Sequence, residues 1–462
     1  AAMDSLSSSI GPKEMSEHVE DIRNLLKSTA SDSKYRIKDE QKRKAYCLPG
    51  LCLPKGISPI FPIYQHGLMH GSVHLRESSA YGLGELVDLT DAKSLRPFLI
   101  KMTGPLIRVV GDRFPSEVKL AIIQTLNKLL GKGGPMLRPF LPQLQTTFVK
   151  ALYNEDHSVR KSASRALGQL IVMSTRVDPL VNELCQGCVS DSPAITEGVR
   201  LALLDGLKRV LLNRGEKVSE AFVNKCLENV PQLLSDQDGD VRGNAAKTVA
   251  AAFGLVNAAS LDDCVRKVLI EPIDNATDWK ELHGLCLCIA ASVVTIPKSL
   301  TSNPQIMENI DKFLQDDNEE IRLAAVDAIA QLLVAKSKSE ESIEKTLKQM
   351  LKIIEGPSSD LRHRALVVFK SFMKKCTGAV RPYLLEVAPA LIECVRSDRH
   401  ITERCLVYAL ELHNNPDSLQ QFAASRSKSV PASTVKQISD YCKRLASRGA
   451  ADESDAEDVL SL

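Results

Sequence analysis

One pattern of hydrophobic and polar positions recurs along most of the chain. It runs as an acidic or small turn, an apolar residue, a basic residue, then an apolar face at helical spacing. The basic positions are Arg76, Lys119, Arg160, Arg200, Arg242, Lys280, Arg322 and Arg362. Their mean interval is about 41 residues, within the range of HEAT and armadillo repeats. The residue before each is Leu75, Val118, Val159, Val199, Val241, Trp279, Ile321 and Leu361. Seven residues after it stand Leu83, Leu126, Leu167, Leu207, Val249, Leu287, Ile329 and Phe369. All of these are apolar, and the position midway between them is apolar except at Ser79 and His283. Such spacing keeps one helix face apolar and predicts a helix in every repeat, with Trp279 buried in its own.

A second landmark marks the other helix of the unit. Leu95-Arg96-Pro97-Phe98-Leu99, Leu137-Arg138-Pro139-Phe140-Leu141 and Val380-Arg381-Pro382-Tyr383-Leu384 share one pattern. Proline is tolerated in a first helical turn, where the N–H lacks a partner anyway. Each unit is then a helix pair that cannot bury its apolar face alone, so neighbours stack. The expected fold class is all-α, an α-solenoid of HEAT- or armadillo-like helix pairs with no sheet. The expected organisation is a polar, partly flexible lead-in over 1–45, a repeat array over 46–415, and a tail over 416–462. That tail combines a polar linker, a short amphipathic helix near 434–446 and an acidic run from Asp452 to Asp458. Pro49, Pro54, Pro59 and Pro62 bar a continuous helix over 48–62.

Composition narrows the function classes. The 462 residues are 44% apolar and 25% charged, which suffices for a packed core. Aromatics are only 4%, with one Trp, so aliphatic packing must hold the fold and base-stacking platforms are unsupported. The net charge of +2 hides a gradient: +2 over 1–60, +6 over 61–215 and −6 over 216–462. That asymmetry suggests a docking face rather than a polyanion groove. No apolar run reaches the roughly 18–20 residues that span a bilayer, and Ala1-Ala2-Met3-Asp4 does not open a signal peptide. Twelve scattered cysteines read as reduced thiols, and the expected location is cytoplasmic. The start at Ala1 suggests a piece of something longer.

No residue constellation points to chemistry, and no cofactor or metal is expected. Cys185-Gln186-Gly187-Cys188 has CxxC spacing without a second ligand pair. His66, His70 and His74 fall at helical spacing, but Gly67 and Gly71 weaken that helix and no carboxylate completes a site. Asp236-Gln237-Asp238-Gly239-Asp240 opens like a calcium loop, then places Val241 and Lys247 where glycine and glutamate are needed. Gly131-Lys132-Gly133-Gly134 lacks the order of a phosphate-binding P-loop. The repeated basic residue could track phosphates, but a structural partner in the turn (Asp156, Asp240, Asp317 or Asp360) is the simpler expectation.

Two longer motifs carry a family resemblance. Residues 103–114 read Thr103-Gly104-Pro105-Leu106-Ile107-Arg108-Val109-Val110-Gly111-Asp112-Arg113-Phe114, and a second motif runs from Leu137 to Phe148. Together they resemble the carboxy-terminal part of the large HEAT-repeat translational activator of the general amino-acid control pathway. The similarity runs from about residue 46 to the end, including the Lys443-Arg444-Leu445-Ala446-Ser447 segment before the tail. This resemblance implies a non-catalytic scaffold whose partners are the RWD domain of the kinase that phosphorylates initiation factor 2 alpha and, through the full-length protein, the ribosome. No membrane and no sequence-specific nucleic acid are implied. Combined with the basic balance over 61–215, the motifs make Arg108 and Arg113 the leading partner-binding candidates, with Arg96 and Arg138 beside them. The alternative is structural, with Arg113 paired to Asp112 or Glu117 and Arg108 covering a helix flank. A generic HEAT adaptor, of transport-receptor or phosphatase-scaffold type, is the second reading of the whole chain.

Overall fold

A computed structural model describes residues 9–32, 37–38, 46–111, 114–335, 347–348, 350–351, 353–356 and 359–375. Arg113, the 380–384 motif, the 434–446 segment and the acidic run lie outside the described residues, as does the side chain of Ile329. The chain divides into two compact units, residues 1–233 and 234–462.

Unit one opens with a short turn of helix, α1 (Pro12–Met15), and α2 (Val19–Ser31). Arg23 on α2 grips Glu85 with Nε at 3.2 Å and Nη2 at 2.7 Å, which ties α2 to the repeat that follows. The repeats are α3 (Phe61–His70) with α4 (Val73–Leu89), then α5 (Ala92–Val110) with α6 (Ser116–Gly133). Next come α7 (Leu141–Ala151) with α8 (His157–Ile171), α9 (Asp178–Cys188) with α10 (Glu197–Arg214), and α11 (Glu220–Asn229). The second helices α4, α6, α8 and α10 stack on one another in chain order, and the first helices form the other layer.

Unit two continues with α12 (Gly239–Phe253), and α13 (Leu261–Val265) joined by a π-turn to α14 (Glu271–Asn275). It then runs through α15 (Trp279–Ser292), α16 (Pro297–Ser302), α17 (Pro304–Phe313), α18 (Glu319–Ala335) and α19 (Ser359–Lys375). Here α12, α15, α18 and α19 stack in order. The fold is an all-α solenoid of helix pairs, as the repeat period predicts.

The acidic or small turn of the repeat is the N-cap of each second helix. Ser72, Asp156, Thr196 and Asp238 each accept the backbone N–H of the residue three further on. From that start the apolar face follows: on α8, Val159, Ala163, Ala166, Leu167, Leu170 and Ile171 are all buried. Contact between a second helix and an earlier element of the chain is close enough to demand glycine. A Cβ on Gly284 of α15 would run into the Leu234 carbonyl, and one on Gly82 would meet the Tyr64 ring at 2.7 Å.

Two expectations change. The chain is not wholly free of sheet: β1 (Ile37–Lys38) pairs antiparallel with β2 (Tyr46–Cys47). After Leu48 the prolines leave only a 3-10 turn, Pro49–Cys52, before α3, and the extended backbone of Leu48 donates to the Leu89 carbonyl at 2.8 Å. Trp279 is 39% exposed rather than buried. The register of its repeat lies two residues later than the spacing predicts. Arg76, Arg160, Arg200 and Arg242 stand fourth after their N-caps, and the fourth residue after the N-cap Asp278 is Leu282, not Lys280. With that register, Leu285 and Ile289 take the buried positions. Trp279 falls in the first helical turn, at the surface.

Candidate docking surface

The repeated arginines are consumed by the fold. Arg160 Nη1 donates to the carbonyls of Asn154 and Glu155, both at 2.7 Å. Arg242 Nη1 does the same to Asp236 and Gln237, and Arg322 Nη1 to Asp316 and Asp317. Arg200 reaches Cys188 and Ser190, Arg76 reaches Leu68, and Arg362 reaches Ile354 and Gly356. The carbonyls belong to the turn before each second helix or to the end of the helix preceding that turn, groups that have no intrahelical acceptor role left to fill. So the structural expectation holds in outline, but the partners are backbone carbonyls rather than the acidic side chains of the turn. Those guanidinium groups point inward and cannot form a phosphate track.

The remaining motifs settle in the same way. His66 and His70 sit on α3 with their rings 5.0 Å apart, whereas His74 belongs to α4 and pairs with Glu20 at 3.3 Å. Asp236 and Asp238 accept backbone N–H groups and cap α12, as an inter-helix turn does. Cys185 and Cys188 are both buried on α9. The Cys226 thiol donates to Cys185, and that bond, helped by Lys225, holds the Cys185 thiol below its ordinary value against the opposing effect of burial. Among the described residues no group of three or more His, Cys, Asp and Glu gathers as a metal site would require.

The candidate arginines lie on the first-helix layer of unit one. Arg96 and Arg108 are exposed on α5, twelve positions apart, about 18 Å along the helix. Arg138 is exposed on the 3-10 turn Gly134–Phe140, which packs against α5. The outward stripe of α5 also carries Lys93, Lys101 and Ile100, the last 53% exposed. No carboxylate occurs in residues 92–110 or 134–151. Asp91, just before, is spent on its N-cap, accepting from Ser94 N and Oγ at 2.8 Å. Asp88 is paired to Lys128 at 2.6 Å. A cleft of about 460 Å³ opens between Arg96 and Leu99 on one side and Gly131 to Met136 on the other. The exposed charges of this surface are all positive over residues 92–110 and 134–151.

Sequence reasoning missed a second polar feature, in unit two. Arg242 Nε donates to His283 Nδ1 at 3.0 Å, His283 Nε2 stands 4.0 Å from Glu320, and Arg364 reaches Glu320 at 3.2 Å. The four residues sit on α12, α15, α18 and α19 in turn. Only their repeat-like separation in sequence hints at it. Trp279 stacks beside this row, 5.3 Å from the Arg242 guanidinium and 5.9 Å from the Lys280 ammonium.

Comparison with known proteins agrees with the repeat architecture. Residues 282–426 match the family described as GCN1-like, C-terminal HEAT repeats. Protein ILITYHIA of Arabidopsis thaliana is 33% identical over 88% of this chain, which covers 15% of that protein. The mouse stalled ribosome sensor GCN1 is 30% identical over 88% of the chain and 15% of its own length. The eIF-2-alpha kinase activator GCN1 of Saccharomyces cerevisiae is 31% identical over 86% of the chain and 16% of its own length. A solved Kap121p structure shares the fold with a TM-score of 0.52 at 14% identity, covering 85% of this chain and 42% of Kap121p. The chain therefore spans about one sixth of the length of the Arabidopsis, mouse and yeast relatives. It carries GCN1-like C-terminal HEAT repeats and is similar, over most of its length, to one part of the GCN1-type HEAT-repeat proteins.

Proposed function

We propose that this chain is a non-catalytic regulatory scaffold that binds the RWD domain of the initiation factor 2 alpha kinase and supports its activation on ribosomes during amino-acid starvation. The observation that carries this reading is similarity over 86–88% of the chain to proteins named as a kinase activator and a stalled ribosome sensor. Because those proteins are far longer, ribosome contact belongs to the full-length protein in this proposal. The place of action is the cytoplasm, consistent with the finding that no described helix is long and apolar enough to cross a membrane. The carboxylate-free face of α5 and residues 134–151 supports a docking role, with Arg96, Arg108 and Arg138 as contacts and Arg113 beside them in sequence. Complementary charge of this kind steers encounter and fixes register.

The test is titration of the folded chain with the kinase's amino-terminal domain. Arg108→Ala and Arg113→Ala are expected to weaken binding while circular dichroism stays unchanged. Wild-type affinity in both folded variants would remove those two arginines from the contact. No binding by the unmodified chain would remove the partner.

A further inference from the structure

The cleft beside Arg96 exists because of three missing side chains. A Cβ on Gly131 or Gly134 would meet nothing within 4 Å, and Gly134 takes φ +50°, the left-handed turn that ends α6. Gly133 presses against Leu99, where a Cβ would stand 3.1 Å from Cδ2. Leu99 lies beneath the cleft and is itself only 1% exposed, so the accessible apolar wall is Met136, an adaptable thioether that is 39% exposed. Lys132 also lines the cleft, but its ammonium is turned to the Val87 and Asp88 carbonyls at 3.0 and 3.1 Å. Arg96 stands at the rim with Lys93, Lys101 and Arg138 exposed on the surrounding face.

We propose that this cleft and the basic stripe around it form a docking site for an acidic protein segment that seats one apolar side chain against Met136. Charge selects the class of partner: every charged side chain on α5 is positive, and Asp88 and Asp91, the carboxylates just before it in the chain, are already engaged. Shape and polarity favour peptide over RNA. The exposed Ile100 and Met136 suit an aliphatic anchor, the arrangement of a central apolar contact inside a polar rim. Base stacking would need exposed rings. Phe98 is instead half-buried, edge-on to Phe61 at 5.7 Å and covered by Lys101. The inference deepens the scaffold reading and takes from it only the identity of the natural partner.

Fluorescence anisotropy on the whole 462-residue chain tests the site. The probes are a labelled 16-residue peptide of Glu, Asp and Ser with one central Leu, the same peptide with Ala there, and a 16-nucleotide oligouridylate. Expected is saturable binding of the Leu peptide, weakened several-fold with Ala and about tenfold by Arg96→Glu or Gly131→Phe. Gly131 is an exposed helical position with open space, so Phe there plugs the cleft without a clash, and Gly131→Ala should bind as wild type. Met136→Glu supplies a second block should Gly131→Phe lose helicity. Equal affinity for the Leu and Ala peptides, wild-type binding by the plugged variants, or oligouridylate displacing the Leu peptide would each overturn the proposal. The kinase's amino-terminal domain is titrated in parallel. Failure of that domain alone sinks the scaffold reading and leaves the site standing. Binding of the domain with both probes indifferent to the plugs does the reverse.

Discussion

At the scale of single residues, the most consequential group is His283, a buried imidazole in the middle of a row of charges. Burial, and then the Arg242 guanidinium, push its pKa down to about 4, against a smaller opposing pull from Glu320; Arg364 adds to the lowering. Because Nδ1 accepts the Arg242 N–H, the ring must be neutral to keep that bond. The unfolded chain regains an ordinary histidine near 6.5, so between about 4 and 6.5 it binds the proton that the folded chain refuses. Stability therefore falls as pH drops through that window, by no more than roughly 3 kcal/mol. Urea midpoints at pH 7 and pH 4.5 should show the loss, and His283→Gln, which keeps an acceptor for Arg242, should flatten it. Asp205 acts in a separate range. Burial works against its charge, yet hydrogen bonds from Ser164, Arg209 and Lys208 hold its pKa to about 2, so its stabilisation is lost only below ordinary carboxylate values near 3.8. Trp279 provides an independent probe, being the sole tryptophan. Set between two cations and 39% exposed, it should be quenched far better by iodide than by caesium. Equal quenching by the two ions would contradict that setting. None of this was legible in sequence, because exposure at Trp279 turns on a two-residue slip in one repeat that an apolar pattern cannot detect.

At the scale of helices, the sequence was far more readable. One small or acidic residue of the turn (Ser72, Asp156, Thr196 or Asp238) proved to be the N-cap, and most of the apolar positions proved to be the buried face, because both follow from local geometry that a 3.6-residue period imposes. The arginine was legible as structural, but not its acceptors, since backbone carbonyls leave no mark in composition. Arg160 shows what that omission costs in understanding. It ties two carbonyls of its own turn to α8, and its removal should cost roughly 1.5–3 kcal/mol, the range for hydrogen bonds to a charged group. Arg160→Lys, with a single ammonium in place of the planar fork, should recover part of it. Denaturant unfolding of both variants decides the matter; an unchanged midpoint in Arg160→Ala would mean that water replaces the guanidinium at no cost. The β1–β2 pair was equally invisible, because two-residue strands have no period to read. The docking face was half visible: Arg96, Arg108 and Arg138 stand out in their motifs, whereas the cleft depends on Gly131, Gly133 and Gly134 meeting Arg96 across two helices.

At the scale of the molecule, a stack of helix pairs transmits damage differently from a globule, since each pair touches only its neighbours. Leu167 is a sharp place to ask. It is fully buried, and a Cβ on Gly206 would lie within 4 Å of Leu152, Leu167 and Leu184 side chains together. Two neighbouring repeats therefore converge there: the end of α7 and the core of α8 from one, and α9 facing α10 from the next. Leu167→Ala should leave a cavity that this junction cannot close, at a cost of roughly 2–5 kcal/mol. In a domain with one common core that loss would loosen every amide through global unfolding. In the stack, opening is local, so hydrogen exchange should quicken over α7 to α10. Amides of α3 and α4, which belong to a repeat not adjacent to that junction, should exchange as in the wild type. The docking face on α5 lies between the two zones, which makes it a gauge of how far the disturbance travels. If α5 amides stay protected and the Leu peptide still binds, coupling dies within one repeat. Exchange that rises uniformly from α3 through α10 would show instead that unit one melts as a single cooperative body, and that repetition in its sequence does not carry over to its energetics.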